Sequence, residues 1–324
     1  MRAVYSSGRS GYSRTRMPEL PDVTVYLEHL RRRVLDHRLL SIRLASPFVL
    51  RSVEPPLSEL NGKKVVGLRR LGKRLVFALE NHLFLVLHLM ISGRLHWKPA
   101  GAKIPGRIGL AAFDFDDGTL TLTEASGKKR AWLRVVRGEE ALAALDPGGV
   151  EPLDASLEAF SAELRRERHT LKRALTDPRL FSGIGNAYSD EILHRARLSP
   201  TQMTLNLDAP EVARLYQATQ DTLRDWVDRL RSEAGDDFPE KVTAFRPEMA
   251  VHGRYGLACP RCGAKVQRIA YADNETNYCA GCQTGGKLLA DRSLSKLLKG
   301  DWPKTLEEME DWKRVSREVV SGKA

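Results

Sequence analysis

Apolar residues Val23, Tyr26, Leu27, Leu30 and Val34 recur at the three- and four-residue spacing of a helix face. A helix is therefore predicted to begin between Leu20 and Asp22. From about Arg38 to Val136 the pattern changes. RLLSIRLAS, KKVVGLRRL, RLVFALE, LFLVLHL, LAAFDFD, TLTLT and AWLRVV are short β-rich runs, and Glu80-Asn81-His82 and Asp116-Asp117-Gly118 sit between pairs of them like hairpin turns. Seven strands and one packed helix predict a sandwich or barrel. Asp146-Pro147-Gly148-Gly149 then marks a boundary. Residues 155–234 are helical: LEAFSAELRRER, HTLKRALTD, NAYSDEILHRARL, and a longer helix with Val212, Leu215, Tyr216, Leu223, Trp226, Val227 and Leu230 on one core-facing stripe. LSKLLKG and TLEEMEDWKRVSREVV read as helices of a C-terminal tail.

The longest apolar runs, such as Leu83 to Leu87, are strand-sized, far short of the roughly 18 residues of a membrane span. No apolar leader follows the N-terminus, so a cytoplasmic protein without a membrane partner is expected. Residues 1–16 hold four Arg, five Ser or Thr and no acid, and read as a basic disordered extension or a mis-called start before Met17. Lys and Arg exceed Asp and Glu by 52 to 41, a net charge of +11, which makes nucleic acid the leading partner class over a merely solubilising surface. All four cysteines, Cys259, Cys262, Cys279 and Cys282, fall in one C-x2-C-x16-C-x2-C pattern. That spacing predicts one structural zinc with a hairpin between the pairs. Two disulfides are the alternative, disfavoured without a secretory leader.

Three features at the joints between these modules carry chemistry. If the chain starts at Met17 and loses it, Pro18 becomes a terminal secondary amine able to form an iminium at a sugar C1′, with Glu19 beside it as general acid/base. The plain alternative is that Pro18 and Pro21 only set the helix start. Ser182-Gly183-Ile184-Gly185-Asn186 places two glycines before a helix, a phosphate-binding arrangement in which Asn186 is both N-cap and donor, or an ordinary interhelical turn. Lys73, just before a strand, holds a phosphate or is a solvated charge.

Taken together and in this order, these features resemble the formamidopyrimidine-DNA glycosylase / endonuclease VIII family. The likeness runs through Pro18-Glu19-Leu20-Pro21, Lys73, LHLMISGRL (87–95), VEPL (150–153), LFSGIGNAYSDEILHRARLSP (180–200) and VHGRYGLACPRCGAKV (251–266) with the second cysteine pair. It implies an α+β multidomain fold. An N-terminal catalytic β-sandwich with one helix would span 17–150, a helix–two-turn–helix DNA-binding domain 155–240, a four-cysteine zinc finger 250–286, and a helical tail 287–324. It implies a bifunctional base-excision enzyme that acts as a monomer on double-stranded DNA with damaged bases or abasic sites. Pro18 would attack C1′, Glu19 protonate the opening sugar, and Lys73 and Asn186, with Gly183 and Gly185, grip flanking phosphates. The alternative is a DNA-binding protein or abasic-site lyase on the same scaffold with weak or no base excision. The chain also departs from the family. Asp22 and Thr24 replace two glutamates, and Asn274 stands where the finger carries a phosphate-binding arginine, with Arg268 and Lys287 as the nearest substitutes. Ile91 stands near the wedge methionine, and Gly127-Lys128-Lys129-Arg130 replaces the Arg–Phe wedge, so Lys128 and Lys129 are expected to bind phosphate rather than stack.

Overall fold

The computed structural model describes residues 17–240, 242, 246–271, 274–290 and 303–320. The expected disordered extension 1–16 and the helix in LSKLLKG lie outside the described residues.

Helix α1 (Leu20–Val34) starts where the periodicity puts it. Glu19 is its N-cap, and the Glu19 amide donates to Asp22 Oδ2 at 2.9 Å. Val23, Tyr26, Leu27, Leu30 and Val34 are all buried. Nine strands follow: β1 (Arg38–Leu39), β2 (Ser41–Leu44), β3 (Lys63–Leu71), β4 (Arg74–Leu79), β5 (Leu83–His88), β6 (Gly93–Lys98), β7 (Gly109–Asp114), β8 (Thr119–Glu124) and β9 (Trp132–Arg137). They form two antiparallel sheets, ordered β1-β3-β4-β5-β9 and β2-β7-β8-β6. The sandwich expectation holds, with two differences. RLLSIRLAS splits at Leu40 and gives one strand to each sheet. β6 has no counterpart in the expected set: Arg94-Leu95-His96-Trp97-Lys98 alternates as a half-buried strand does, but with only Leu95 and Trp97 as large apolar residues the signal is short; Arg94, His96 and Lys98 are partly buried.

Leu83, Leu85 and Leu87 of β5 pack between the sheets against Phe113, Leu120, Leu122 and Leu133. Phe84 and Val86 face outward beneath Leu142 of the short helix α2 (Glu139–Ala143). Burial on both faces explains why β5 reads as an unbroken apolar run.

Helices α3 (Leu157–Arg165), α4 (Leu171–Thr176), α5 (Asn186–Ala196) and α6 (Ala209–Ala234) enclose a second core. Ser156 caps α3, and Asp208 with Glu211 forms a capping box on α6. Along α6, Val212, Leu215, Leu223, Trp226, Val227 and Leu230 are buried, and Tyr216 is partly so. Leu20 of α1 belongs to this second core, so α1 is shared by both layers. Strands β10 (Val266–Tyr271) and β11 (Asn274–Cys279) form a hairpin followed by the single turn α7 (Ala280–Gln283). A further helix, α8 (Leu306–Val320), packs Leu306 with Leu288 and Leu289 onto Ile269 and Tyr278 of the hairpin. Among the described residues no helix is long and apolar enough to cross a membrane.

Candidate active site and nucleic-acid interface

Three segments distant in sequence meet at the N-terminus of α5. Pro18 is buried, and the Glu19 side chain, 3% exposed, reaches across to the helix start. Glu19 Oε2 accepts from the Gly185 amide at 2.6 Å and Oε1 from the Ala187 amide at 2.9 Å; the Tyr188 amide lies 3.3 Å from Oε2. Amides at a helix start have no partner within the helix, so a carboxylate is well placed there. The expectation that Asn186 is the N-cap is corrected: Gly185 is the N-cap and Asn186 the first helical residue. The capping oxygens come from Glu19 instead.

Lys73 sits in the β3–β4 turn, after Gly72 at φ +62°. A Cβ on Gly185 would lie 2.5 Å from Lys73 Nζ and 2.4 Å from Glu19 Cδ. Only glycine therefore lets ammonium and carboxylate converge on this turn. Burial holds the Lys73 ammonium below its ordinary pKa; Glu19 opposes that and Lys172 reinforces it. Gly183, at φ +79°, accepts the Leu20 amide at 2.9 Å, and a side chain there would meet Leu20 and Arg70. Arg70 ties the two turns together. It donates to the Gly72 carbonyl at 2.7 Å and to Ser182 Oγ at 3.2 Å, and pairs with Glu151, which also accepts from Ser182 Oγ.

Behind this layer, Asp22 is fully enclosed. Burial pushes its carboxyl up to about 6, against the Glu19 amide and the Arg246 charge 3.9 Å away. Lys172 Nζ donates to the Asn186 carbonyl (2.7 Å), Ser189 Oγ (2.8 Å) and Asp190 (2.5 Å). Asp190 also meets His252 Nδ1 at 2.7 Å and the Asn277 amide at 3.1 Å. The neighbouring Glu191 accepts from the amides of Ala250, Val251 and His252 at 2.7–2.9 Å. One helix thus carries the Glu19 contact at its start and the cysteine module one turn later.

Arg51, Arg74, Lys129, Arg130 and Arg134 line an open groove of about 600 Å³ around Trp132. His88 stacks on Trp132 at 5.4 Å between centroids. Burial, then Arg74 and Lys73, push His88 down to about 4, so it is neutral at pH 7 and its Nδ1 accepts the Met90 amide. Lys128 and Lys129 are exposed in the loop before β9; Lys129 also donates to the Glu124 carbonyl. Ile91 is exposed in the β5–β6 turn. Arg268 is a poor substitute clamp: it lies over the Tyr255 ring at 4.6 Å and 3.5 Å from Glu275. Asn274 opens β11 opposite Tyr271, and its side chain is outside the described residues.

The sulfurs of Cys259, Cys262, Cys279 and Cys282 lie within 4.8 Å of one another. Cys262–Cys279 and Cys259–Cys282 are 3.3 and 3.9 Å apart, near the roughly 3.8 Å edge of a tetrahedron of 2.3 Å zinc–sulfur bonds. Gly281 keeps the space open, since a Cβ there would sit 3.2 Å from Cys262 Sγ. The cysteines are not joined as disulfides. Four thiolates saturate zinc and leave no open position, so the ion is structural.

Comparison with known proteins follows the same division. Residues 17–128 match the formamidopyrimidine-DNA glycosylase N-terminal domain, 149–234 its helix–two-turn–helix domain, and 256–285 the zinc finger found in that enzyme and in isoleucyl-tRNA synthetase. The formamidopyrimidine-DNA glycosylase of Pelotomaculum thermopropionicum is 32% identical over 276 residues, spanning 82% of this chain and 99% of that protein. The chain belongs to the formamidopyrimidine-DNA glycosylase family. The Thermus thermophilus glycosylase is 34% identical over 277 residues, spanning 83% of this chain and all of that protein. The Lactococcus lactis enzyme, solved with DNA containing an abasic site, superposes with a TM-score of 0.73 at 26% identity, covering 82% of this chain and 99% of that one. The protein is a base-excision repair DNA glycosylase with one structural zinc; abasic-site lyase activity is general to the glycosylase family.

Within this glycosylase framework, Lys172, Asp190, Glu191, Arg70 and Glu151 are the residues that sequence reasoning missed as site supports. HTLKRALTD reads as an amphipathic helix with a solvated lysine, and no local spacing shows that Lys172 and Asp190 meet. Two outcomes are expected. The raised Asp22 carboxyl keeps its proton in the folded state after the unfolded chain has lost it. The Asp22 contribution to stability should therefore be full below about pH 4 and fall by about 3 kcal/mol as pH rises through about 6. Asp22→Asn should flatten that slope in urea unfolding at pH 4 and pH 7; equal slopes contradict it. Elemental analysis should find one zinc per chain, and Cys279→Ser should weaken DNA affinity more than turnover at saturating DNA. A zinc-free native protein contradicts the assignment.

Proposed function

We propose that the glycosylase acts through the Pro18 amine, freed when the chain is read from Met17 and that methionine is removed. The observation that carries this reading is the convergence of Glu19 and Lys73 beside Pro18 at the start of α5. The match to the family's N-terminal domain beginning at residue 17 supports it. An α-amino group has a pKa near 8. At the positive end of α1 the ammonium form is further disfavoured, which raises the nucleophilic fraction at neutral pH.

The amine lone pair would bond to C1′ of the damaged nucleotide, and the base would leave with the electrons of the glycosidic bond and take up the proton that the amine then sheds. Glu19 would give a proton to the opening sugar oxygen; Oε1, with Ala187 as its one amide contact, keeps a lone pair that can carry that proton. The iminium then acidifies C2′. The Glu19 carboxylate, having given up its own proton, would take the C2′ proton; the freed electrons would form the C2′–C3′ double bond, and the 3′ phosphate would leave with the C3′–O electrons, which cuts the strand. Lys73 and Asn186 would hold the flanking phosphates, with Gly183 and Gly185 keeping the turn open to them, since the Gly185 amide itself is given to Glu19. Lys129 in the groove and the exposed Lys128 in the same loop would add phosphate contacts. In this reading residues 17–150 carry the nucleophile, 155–240 the turn that positions Glu19, and 250–286 the zinc-stabilised finger. Damaged bases and abasic sites in duplex DNA are the substrates, because flipping costs least there.

A chain beginning at Pro18 should be trapped by borohydride on abasic DNA, as the reductant turns the iminium into a stable amine. A chain retaining Met1, or one acetylated at Pro18, should give no adduct. Glu19→Gln should slow base removal at least tenfold more than cleavage of a preformed abasic site. Equal trapping by the Met1 chain contradicts the assignment of Pro18.

A further inference from the structure

We propose that Phe48 is a stacking platform for a nucleobase at the loop end of the cationic groove. The inference rests on the DNA-glycosylase reading and adds a residue that contacts substrate. Phe48 is 83% exposed, whereas every other phenylalanine with a described side chain is at most 8% exposed. It lies in the short 3₁₀ turn Pro47–Val49, whose next residue, Val49, is buried in the sandwich core. Adjacent residues of such a turn point about 120° apart, so anchoring Val49 inward holds Phe48 outward.

The location gives that exposure a meaning. The chain after the turn runs along β9. Leu50 bridges Leu133 in parallel, the Arg51 amide donates to the Leu133 carbonyl at 2.8 Å, and Ser52 Oγ accepts from the Val135 amide at 2.9 Å. Phe48 is only two residues from the Leu50–Leu133 bridge, so it stands within reach of the start of β9 and of the exposed Lys128–Arg130 loop that leads into it. Arg51, three residues on, lines the groove with Arg74, Lys129, Arg130 and Arg134. An isolated exposed apolar residue is ordinary. An aromatic ring fixed outward three residues before Arg51, one of the five cations of the groove, matches the combination single-stranded segments require: cations for the backbone and a π-face for a base. The charge of the groove commits the occupant to a polyanion, and the ring commits it to one with unstacked bases, as around an extruded or missing nucleotide.

Full-length protein and its Phe48→Ala, Phe48→Leu and Phe48→Trp variants would be titrated with an abasic-site duplex carrying 2-aminopurine beside the lesion. Phe48→Ala and Phe48→Leu should bind roughly tenfold to a hundredfold more weakly. They should show less change in probe fluorescence, with the salt slope and melting temperature of the parent, since no phosphate contact is lost. Phe48→Trp should bind like the parent. If Phe48→Ala binds within twofold of a parent that itself binds the duplex, the platform is overturned and the glycosylase reading stands. If the parent does not bind, both fall. Weakening shared by Phe48→Trp, or accompanied by a lower melting temperature, makes Phe48 structural and overturns the proposal.

Discussion

The first amides of a helix have no partners inside it, and in α5 those of Gly185 and Ala187 are satisfied by a carboxylate more than 160 residues away in sequence. That contact ties the sandwich to the helical layer. It also explains the glycines around it. Gly185 has no room for a Cβ between Glu19 and Lys73, and Gly183 turns its carbonyl to the Leu20 amide through a positive φ. Removing the carboxylate would leave buried amides unpaired, at a cost of about 1–3 kcal/mol each. It would also remove the anion facing Lys73.

The same helix extends the constraint to the finger. Asp190 and Glu191 are buried acids that gather Lys172, His252, the Asn277 amide and the 250–252 backbone. Buried charges persist only when paired or hydrogen-bonded, so the position of the finger is coupled to the state of α5. The zinc fixes the inside of the finger, and these acids fix its outside. The groove beside β9 stays open and cationic, with its arginines arranged around Trp132 rather than spent on internal carboxylates.

Legibility in the sequence followed the range of the interactions. α1 and α6 could be placed because burial repeats every three or four residues, and β5 because both of its faces are covered. The cysteines could be read because zinc geometry is encoded in two short spacings. β6 was hidden because its alternation is short, with only Leu95 and Trp97 as large apolar residues to mark the buried face. The cap of α5 was misassigned to Asn186 because local capping rules see only neighbours, and Glu19 is not one. Arg268 looked available as a clamp, but Tyr255 and Glu275 engage it in the fold. Lys172 and Asp190 form a contact between two helices, each of which reads as unremarkable alone.

Amide hydrogen exchange at the start of α5 tests the central claim most directly. In the parent, Gly185 and Ala187 should be as protected as the buried turns of α6. In Glu19→Ala they should exchange at least tenfold faster, while the α6 amides around Leu223 keep their protection. Unchanged protection at Gly185 and Ala187 in that variant would contradict the account, because the helix start would then not depend on Glu19.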